Sequence, residues 1–231
     1  TVNVRNSIIQ GNTNDDTGSE RYYSYSNIQG SPSGAGNINK DSWFVGDRDY
    51  RLVPGSVCIN RGDPDDAADD DGTRRDMGAY AYEHTYDGSQ WYVSSDGDWL
   101  SGDGSLGNPL SSIQAAINLA DDGEEIIVNE GTYTGEGNRN IYFLGKPLTL
   151  HSSGEPENTI IDLEDSNNSR GMIFEPHINF PVATAETIIE GITIQGAYFN
   201  ANNSQYGGGV YIKEASPTFN NCIIRDNQIR A

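Results

Sequence analysis

The segment from Asp63 to Asp76 carries Asp63, Asp65, Asp66, Asp69, Asp70, Asp71 and Asp76. Carboxylates at this density, interrupted by Gly72, suit a hard cation, since Ca²⁺ takes roughly 6–8 oxygen ligands from carboxylates and turn carbonyls. Asp69, Asp71 and Asp76 are the expected ligands, with carbonyls near Gly72 completing the shell. The spacing is not that of an EF-hand. With Gly72 at the sixth loop position, Ala67 falls where Asp is required and Gly78 where Glu is required. A solvated acidic turn countered by Arg74 and Arg75 is the alternative. A second acidic loop, SSDGDWLSGDGS, offers Asp96, Asp98 and Asp103, and its regular glycines equally suit a tight turn.

Other chemistry is thinly represented. Arg170, Lys213 and Arg225 are the basic groups that a polysaccharide lyase would need beside a uronate, but no pattern ties them to the carboxylates. His84, His151 and His177 lack the short spacing of zinc ligands, and no G-x-S-x-G nucleophile motif is present. Trp43, Trp91 and Trp99, with Tyr22, Tyr23, Tyr25, Tyr92, Tyr198 and Tyr206, offer either a sugar-stacking platform or packing at turns. Asn167 and Asn202 match the N-glycosylation sequon. Cys58 and Cys222 lie in apolar runs and read as buried free thiols, with a disulfide between them left open.

A formal net charge of −20 repels nucleic acid and anionic lipid, because binding to phosphates requires Lys and Arg. No run approaches the ~18 apolar residues of a membrane span, which excludes insertion as a helix. Aromatic content of 10% and β-branched runs such as ETIIEGITI argue for a folded, β-rich chain rather than a disordered acidic one. Residue 1 opens into a strand-like run, so the expectation is a chain whose leader was removed or one excised from a longer protein.

The elements that position these groups repeat. NSIIQGN, YSNIQGS, GITIQGA and NCIIRDN share an apolar pair or alternation followed by a polar turn, and Gly191 and Asn221 lie 30 residues apart with GGGVYI between them. That period fits one coil of a solenoid, in which coils stack so that Ile, Val and Phe form inward ladders while Asn and Gly take the corners. Ile194, Val210 and Ile224 are expected to point inward, and Arg225 outward. An antiparallel sandwich is the rival, disfavoured because two-residue hairpin signals are scarce. At the centre, Ser111 or Ser112 caps a helix with Ile113, Ala116, Ile117 and Ala120 on one face, as expected for a cap over the open end of a stack.

The long segment WYVSSDGDWLSGDGSLGNPLSSIQAAINLADDGEEIIVNEGTYTGEGNRNI, with LGKPLTLHSSGEPENTIID, resembles the opening of bacterial right-handed parallel β-helix repeat proteins. GNINKDSWFVGDRDYRLVPGSVCINRGDPD and DDDGTRRDMGAYAYE resemble the closing segment of the same proteins, which include secreted and surface-anchored chains. The resemblance implies an all-β right-handed parallel β-helix. Its order is reversed, with ending before beginning. Residues 1–84 therefore read as the C-terminal-type end of one solenoid with an acidic closing loop, 85–90 as a linker, and 91–231 as the capped N-terminal-type start of a second. The expected function is a structural subunit of an extracellular or cell-surface assembly, stacking head-to-tail with copies of itself into a filament, with Ca²⁺ as a stabilising ion. A polysaccharide lyase-like enzyme and a glycan-binding adhesin module are the alternatives.

Overall fold

A computed structural model describes residues 2–12, 21–30, 33–166, 169–176, 183–200 and 207–230. The sequons at Asn167 and Asn202, together with His177 and Tyr206, lie outside them. The chain forms two compact units, Thr1–Thr85 and Tyr86–Ala231.

In the first unit, β1 (Val2–Arg5) and β2 (Ile8–Ile9) are followed by β3 (Arg21–Ser24) and β4 (Asn27–Ile28). β3 pairs in parallel with β1 and β4 with β2, so one strand–corner–strand segment stacks on another. The corners need left-handed backbone. Asn6 and Tyr25 adopt φ of 50° and 47°, and Gly11 and Gly30, five residues beyond each, adopt 74° and 94°. Asn tolerates this region better than most residues and Gly occupies it freely, which explains the polar turns of the repeat. Next comes an antiparallel hairpin of β5 (Phe44–Gly46) and β6 (Asp49–Leu52). Its turn, Asp47–Arg48, reaches positive φ at Arg48 (66°) without the Asn-Gly or Asp-Gly signature, so the sequence hides it. Ile28, Val53, Cys58, Ile59 and Met77 form the unit's buried centre.

The second unit begins with β7 (Gln90–Val93) and α1 (Ile113–Leu119). Ser112 caps the helix, its side chain accepting from the Ala115 N–H at 3.3 Å, while Ile113, Ala116, Ile117 and Ala120 are all buried. Lys146 donates from Nζ to the carbonyls of Ile117, Asn118 and Ala120, satisfying the C-terminal end. Four turns of strands follow: β8 (Glu125–Val128), β9 (Gly131–Tyr133) and β10 (Ile141–Tyr142); β11 (Thr149–Ser152), β12 (Thr159–Asp162) and β13 (Met172–Phe174); β14 (Ile188–Glu190), β15 (Thr193–Gln195), β16 (Tyr198–Asn200) and β17 (Val210–Ile212); and β18 (Thr218–Asn220), β19 (Ile223–Ile224) and β20 (Gln228–Arg230).

Every pairing in this unit's named strands is parallel, and each joins a strand to its counterpart in the next turn. The sheet orders are β7-β8-β11-β14-β18, β9-β12-β15-β19, β10-β13-β17 and β16-β20. The fold is thus all-β with stacked parallel strands and a single α-helix among the described residues.

Register lines up one inward ladder through Trp91, Ile126, Leu150, Ile189 and Phe219 and another through Tyr133, Ile161, Ile194 and Ile224. Phe143 stacks on Phe174 with centroids 5.0 Å apart, and Phe174 meets Phe219 edge-on at 5.8 Å. At the first end, α1 packs on β7, β8 and β10, and the Gln114 side chain both accepts from the Tyr142 N–H (2.8 Å) and donates to its carbonyl (3.0 Å). The helix therefore closes the edge of β10 with an amide in place of a strand. At the other end the ladder thins. Ile194 is 0% exposed and its stacked partner Ile224 is 52% exposed, because β19 carries a strand on one side only. Ile194 points inward as expected, Val210 is half-buried, and Ile224 keeps the inward register without the burial.

Candidate functional site

The acidic loop of the first unit is organised by its own backbone amides. Asp69 and Thr73 close a turn, with the Asp69 N–H donating to the Thr73 carbonyl (3.0 Å) and the Gly72 N–H to the Asp69 carbonyl (2.9 Å). Asp71 Oδ1 accepts from the N–H and hydroxyl of Thr73 (3.0 and 2.7 Å), and its Oδ2 from the His84 N–H (3.1 Å). Asp69 Oδ2 accepts from the Asp76 N–H at 2.8 Å. Asp76, 4% exposed, accepts from the N–H groups of Asn60 and Tyr82, one per oxygen and both at 2.6 Å. Asp76 thereby ties 60, 82 and the loop together.

Electrostatics separates the carboxylates. Burial pushes Asp76 up to about 6, against the pull of the two amides and with a push from Asp69 and Asp71. Asp71 is also pushed upward by partial burial, but the donors at Thr73 and His84 outweigh that and hold it below the usual carboxylate range. The arginines contact the backbone and the first aspartates of the segment, and Arg75 donates to the Ala67 carbonyl at 3.2 Å. Arg74 donates to the Gly62 carbonyl (2.8 Å from Nε), and Arg5 pairs with Asp63 and Asp66 at 3.3 and 3.1 Å. Each of these three aspartates turns at least one carboxylate oxygen to a backbone N–H, and no group of three or more His, Cys, Asp or Glu is placed to hold a metal ion among the described residues.

The second loop follows the same logic. Asp98 Oδ1 accepts from the N–H groups of Ser101 and Leu100 (2.9 and 2.7 Å), which lower its pKa. Asp103 is pushed upward by partial burial, but bonds from Ser105, whose N–H lies 2.9 Å from Oδ1, and from Asn108 outweigh that and hold it low. Asp96 anchors through its N–H, which donates to Ser94 Oγ at 3.3 Å. These are side-chain-stapled turns.

The remaining candidates scatter. Arg170 donates to the Gly207 carbonyl (3.1 Å) and lies 4.5 Å from the Tyr211 ring centroid, while Arg225 faces outward and donates to Gln195 Oε1 at 2.9 Å. Trp91 is buried in the ladder with its indole N–H on Glu124 (2.7 Å), whereas Trp99 and Tyr22 are exposed. Cys58 is buried and Cys222 half-buried, both as free thiols whose pKa burial raises, and not as a disulfide.

One grouping is invisible in the sequence. An open groove of about 700 Å³ on the second unit is lined by Glu125, His151, Glu155, Glu157, Glu190 and Cys222 among others. β8, β11 and β14 lie side by side, so His151 sits opposite Glu190 in register and its Nε2 is 3.0 Å from Glu125 Oε1. These residues are far apart in sequence and meet only through pairing register. The available signal was positional: Glu125, His151 and Glu190 each adjoin an inward ladder residue and so share the outward face. An imidazole among carboxylates on a polar groove can hydrogen-bond hydroxyl-rich ligands and exchange protons with them. No protein-family model, curated protein or solved structure matches the chain.

Proposed function

We propose that the chain is a structural subunit of an extracellular or cell-surface assembly, a stretch of right-handed parallel β-solenoid that stacks head-to-tail with further copies. The observation that carries this reading is the shared coil of the two units. Left-handed corners occur as pairs five residues apart at 6 and 11, 25 and 30, 191 and 196, and 221 and 226, with a short strand between each pair. A chain that builds the same strand–corner–strand element in both units is a modular stacking polymer, in which each coil is stable only against a neighbour. Crossovers between parallel strands of one sheet are almost always right-handed, which supports that hand. The strong net negative charge suits a surface that stays soluble among other macromolecules.

The test is light scattering on the purified chain over a range of concentrations, followed by electron microscopy. Growing mass and filaments support the reading, and a monomer at the highest concentration overturns it. A second reading, a glycan-binding or carbohydrate-active protein, draws on the groove around His151. Incubation with acidic and neutral polysaccharides, read by retardation and by product formation, decides that case.

A further inference from the structure

Among the described residues, β19 of the second unit and β2 of the first each pair on one side only, and their unpaired edges are complementary in register. In β19 the N–H groups of Ile223 and Arg225 donate back to Ile192 and Ile194 at 3.0 and 3.1 Å, so Cys222 and Ile224 present their N–H and C=O groups forward, along the stack. In β2 the carbonyls of Ser7 and Ile9 accept from Asn27 and Gln29 at 2.8 and 2.9 Å, so Ile8 and Gln10 present theirs in the opposite direction. A parallel ladder needs this alternation. A slip of one residue would set like groups against each other and turn every side chain to the wrong face.

We propose that the β18–β19 coil of one copy receives the β1–β2 coil of a second copy with Cys222 against Ser7, Ile224 against Ile9, Arg225 against Gln10 and Asn227 against Asn12. This deepens the head-to-tail reading above and rests on it. Three features converge on that register. Corners at Asn221 and Asp226 (φ 49° and 53°) meet corners at Asn6 and Gly11 (50° and 74°), as Gly191 and Gly196 (66° and 72°) already meet the former pair. Arg225 donates to Gln195 on its inner side (2.9 Å), and Gln10, whose amide also accepts from Ser42 Oγ (2.9 Å) and donates to the Lys40 carbonyl, stands at the matching position on the outer side. Asn227 accepts from the Ala197 N–H and donates to the Ile194 carbonyl, both at 3.0 Å. Asn12, exposed and at the equivalent position of its coil, makes the same two bonds to the Asn227 N–H and the Ile224 carbonyl. The apolar ends match as well, since Ile212, Ile224 and Ile229 on one face and Val2 on the other are exposed.

Native Cys222 provides the test. Paired residues in neighbouring parallel strands sit ~4.8 Å apart, within the Cα range of a disulfide, whereas a position three residues along is ~10 Å away. Full-length Ser7→Cys, oxidised with glutathione disulfide, is expected to give a non-reducing gel ladder at multiples of 25.1 kDa that collapses on reduction. Gln10→Cys is expected to give none. Asn12→Ala, on an exposed side chain, should weaken association several-fold with an unchanged melting curve. Scattering that shows assembly without the Ser7→Cys ladder, a ladder equally strong in Gln10→Cys, or Asn12→Ala association equal to wild type overturns the register and leaves the stacking reading standing. A chain that stays monomeric removes both.

Discussion

Asp76 makes the first unit pH-sensitive in a direction opposite to most buried acids with hydrogen-bond partners. Its carboxyl rises from 3.8 in an unstructured chain to about 6 in the fold. The folded state therefore holds the proton more tightly, and the stabilisation linked to this group is fully present below the unfolded value and lost as pH rises through about 6. A tenfold change in proton affinity corresponds to ~1.4 kcal/mol, so the change between pH 7.5 and pH 4 amounts to ~2–3 kcal/mol from this one residue. Asp76→Asn removes the titration. It also replaces one accepting oxygen by a donor facing the Asn60 or Tyr82 N–H, which costs ~1–3 kcal/mol at every pH. The assay is urea unfolding of wild type and Asp76→Asn between pH 4 and 7.5, comparing the difference between the two proteins at each pH. Wild type should gain stability over the variant by ~2–3 kcal/mol as the pH falls across this window. A difference that stays flat, or that shrinks on acidification, refutes the reasoning by showing that the two 2.6 Å amide bonds, not burial, set the charge state.

Chelation should leave the melting temperature of the chain unchanged, because backbone amides already hold the Asp69, Asp71 and Asp76 carboxylates; a drop on adding chelator, reversed by Ca²⁺, would restore the ion. Ile194→Ala should cost ~2–5 kcal/mol in chemical unfolding, and Ile224→Ala distinctly less in the isolated chain, because only the former leaves a cavity. Equal losses would show that the end of the stack is covered in solution. Ser112→Ala should cost ~0.5–2 kcal/mol through the lost helix cap, read in the same unfolding curves.

Local rules reached the coil but not everything packed around it. The repeated apolar pairs with polar corners located β2, β4, β15 and β19, because the left-handed corner constrains residue type directly at positions such as Asn6 and Gly191. The helix was equally legible, since Ser112 and the Ile113–Ala116–Ile117 stripe express its cap and its buried face. The β5–β6 hairpin was not, since a turn through Asp47 and Arg48 lacks the Asn-Gly or Asp-Gly pair that usually announces one. The role of the acidic loop was not legible for a physical reason. Aspartate serves Ca²⁺ and backbone N–H groups with the same lone pairs, and only coordinates show that the Asp76 carboxylate accepts from the N–H groups of Asn60 and Tyr82.

The groove and the end faces lie at a level the sequence expresses only through register. Glu125, His151 and Glu190 are brought together by the same in-register pairing that stacks Ile126, Leu150 and Ile189 beneath them. Outward chemistry and inward packing are therefore coupled, and an insertion that shifted β11 by one residue would disperse the groove and bury His151 together. In the proposed head-to-tail stack the same coupling makes the pairing of coils specific. There Arg225 meets Gln10 only if Ile224 meets Ile9, so the polar side chains read out whether the apolar ladder is in phase. In a polymer of near-identical coils, an apolar end alone would accept several registers. In the proposed stack, a polar contact of the kind Asn227 already makes to Ala197 within the chain, repeated by Asn12 of the next copy, is what selects one.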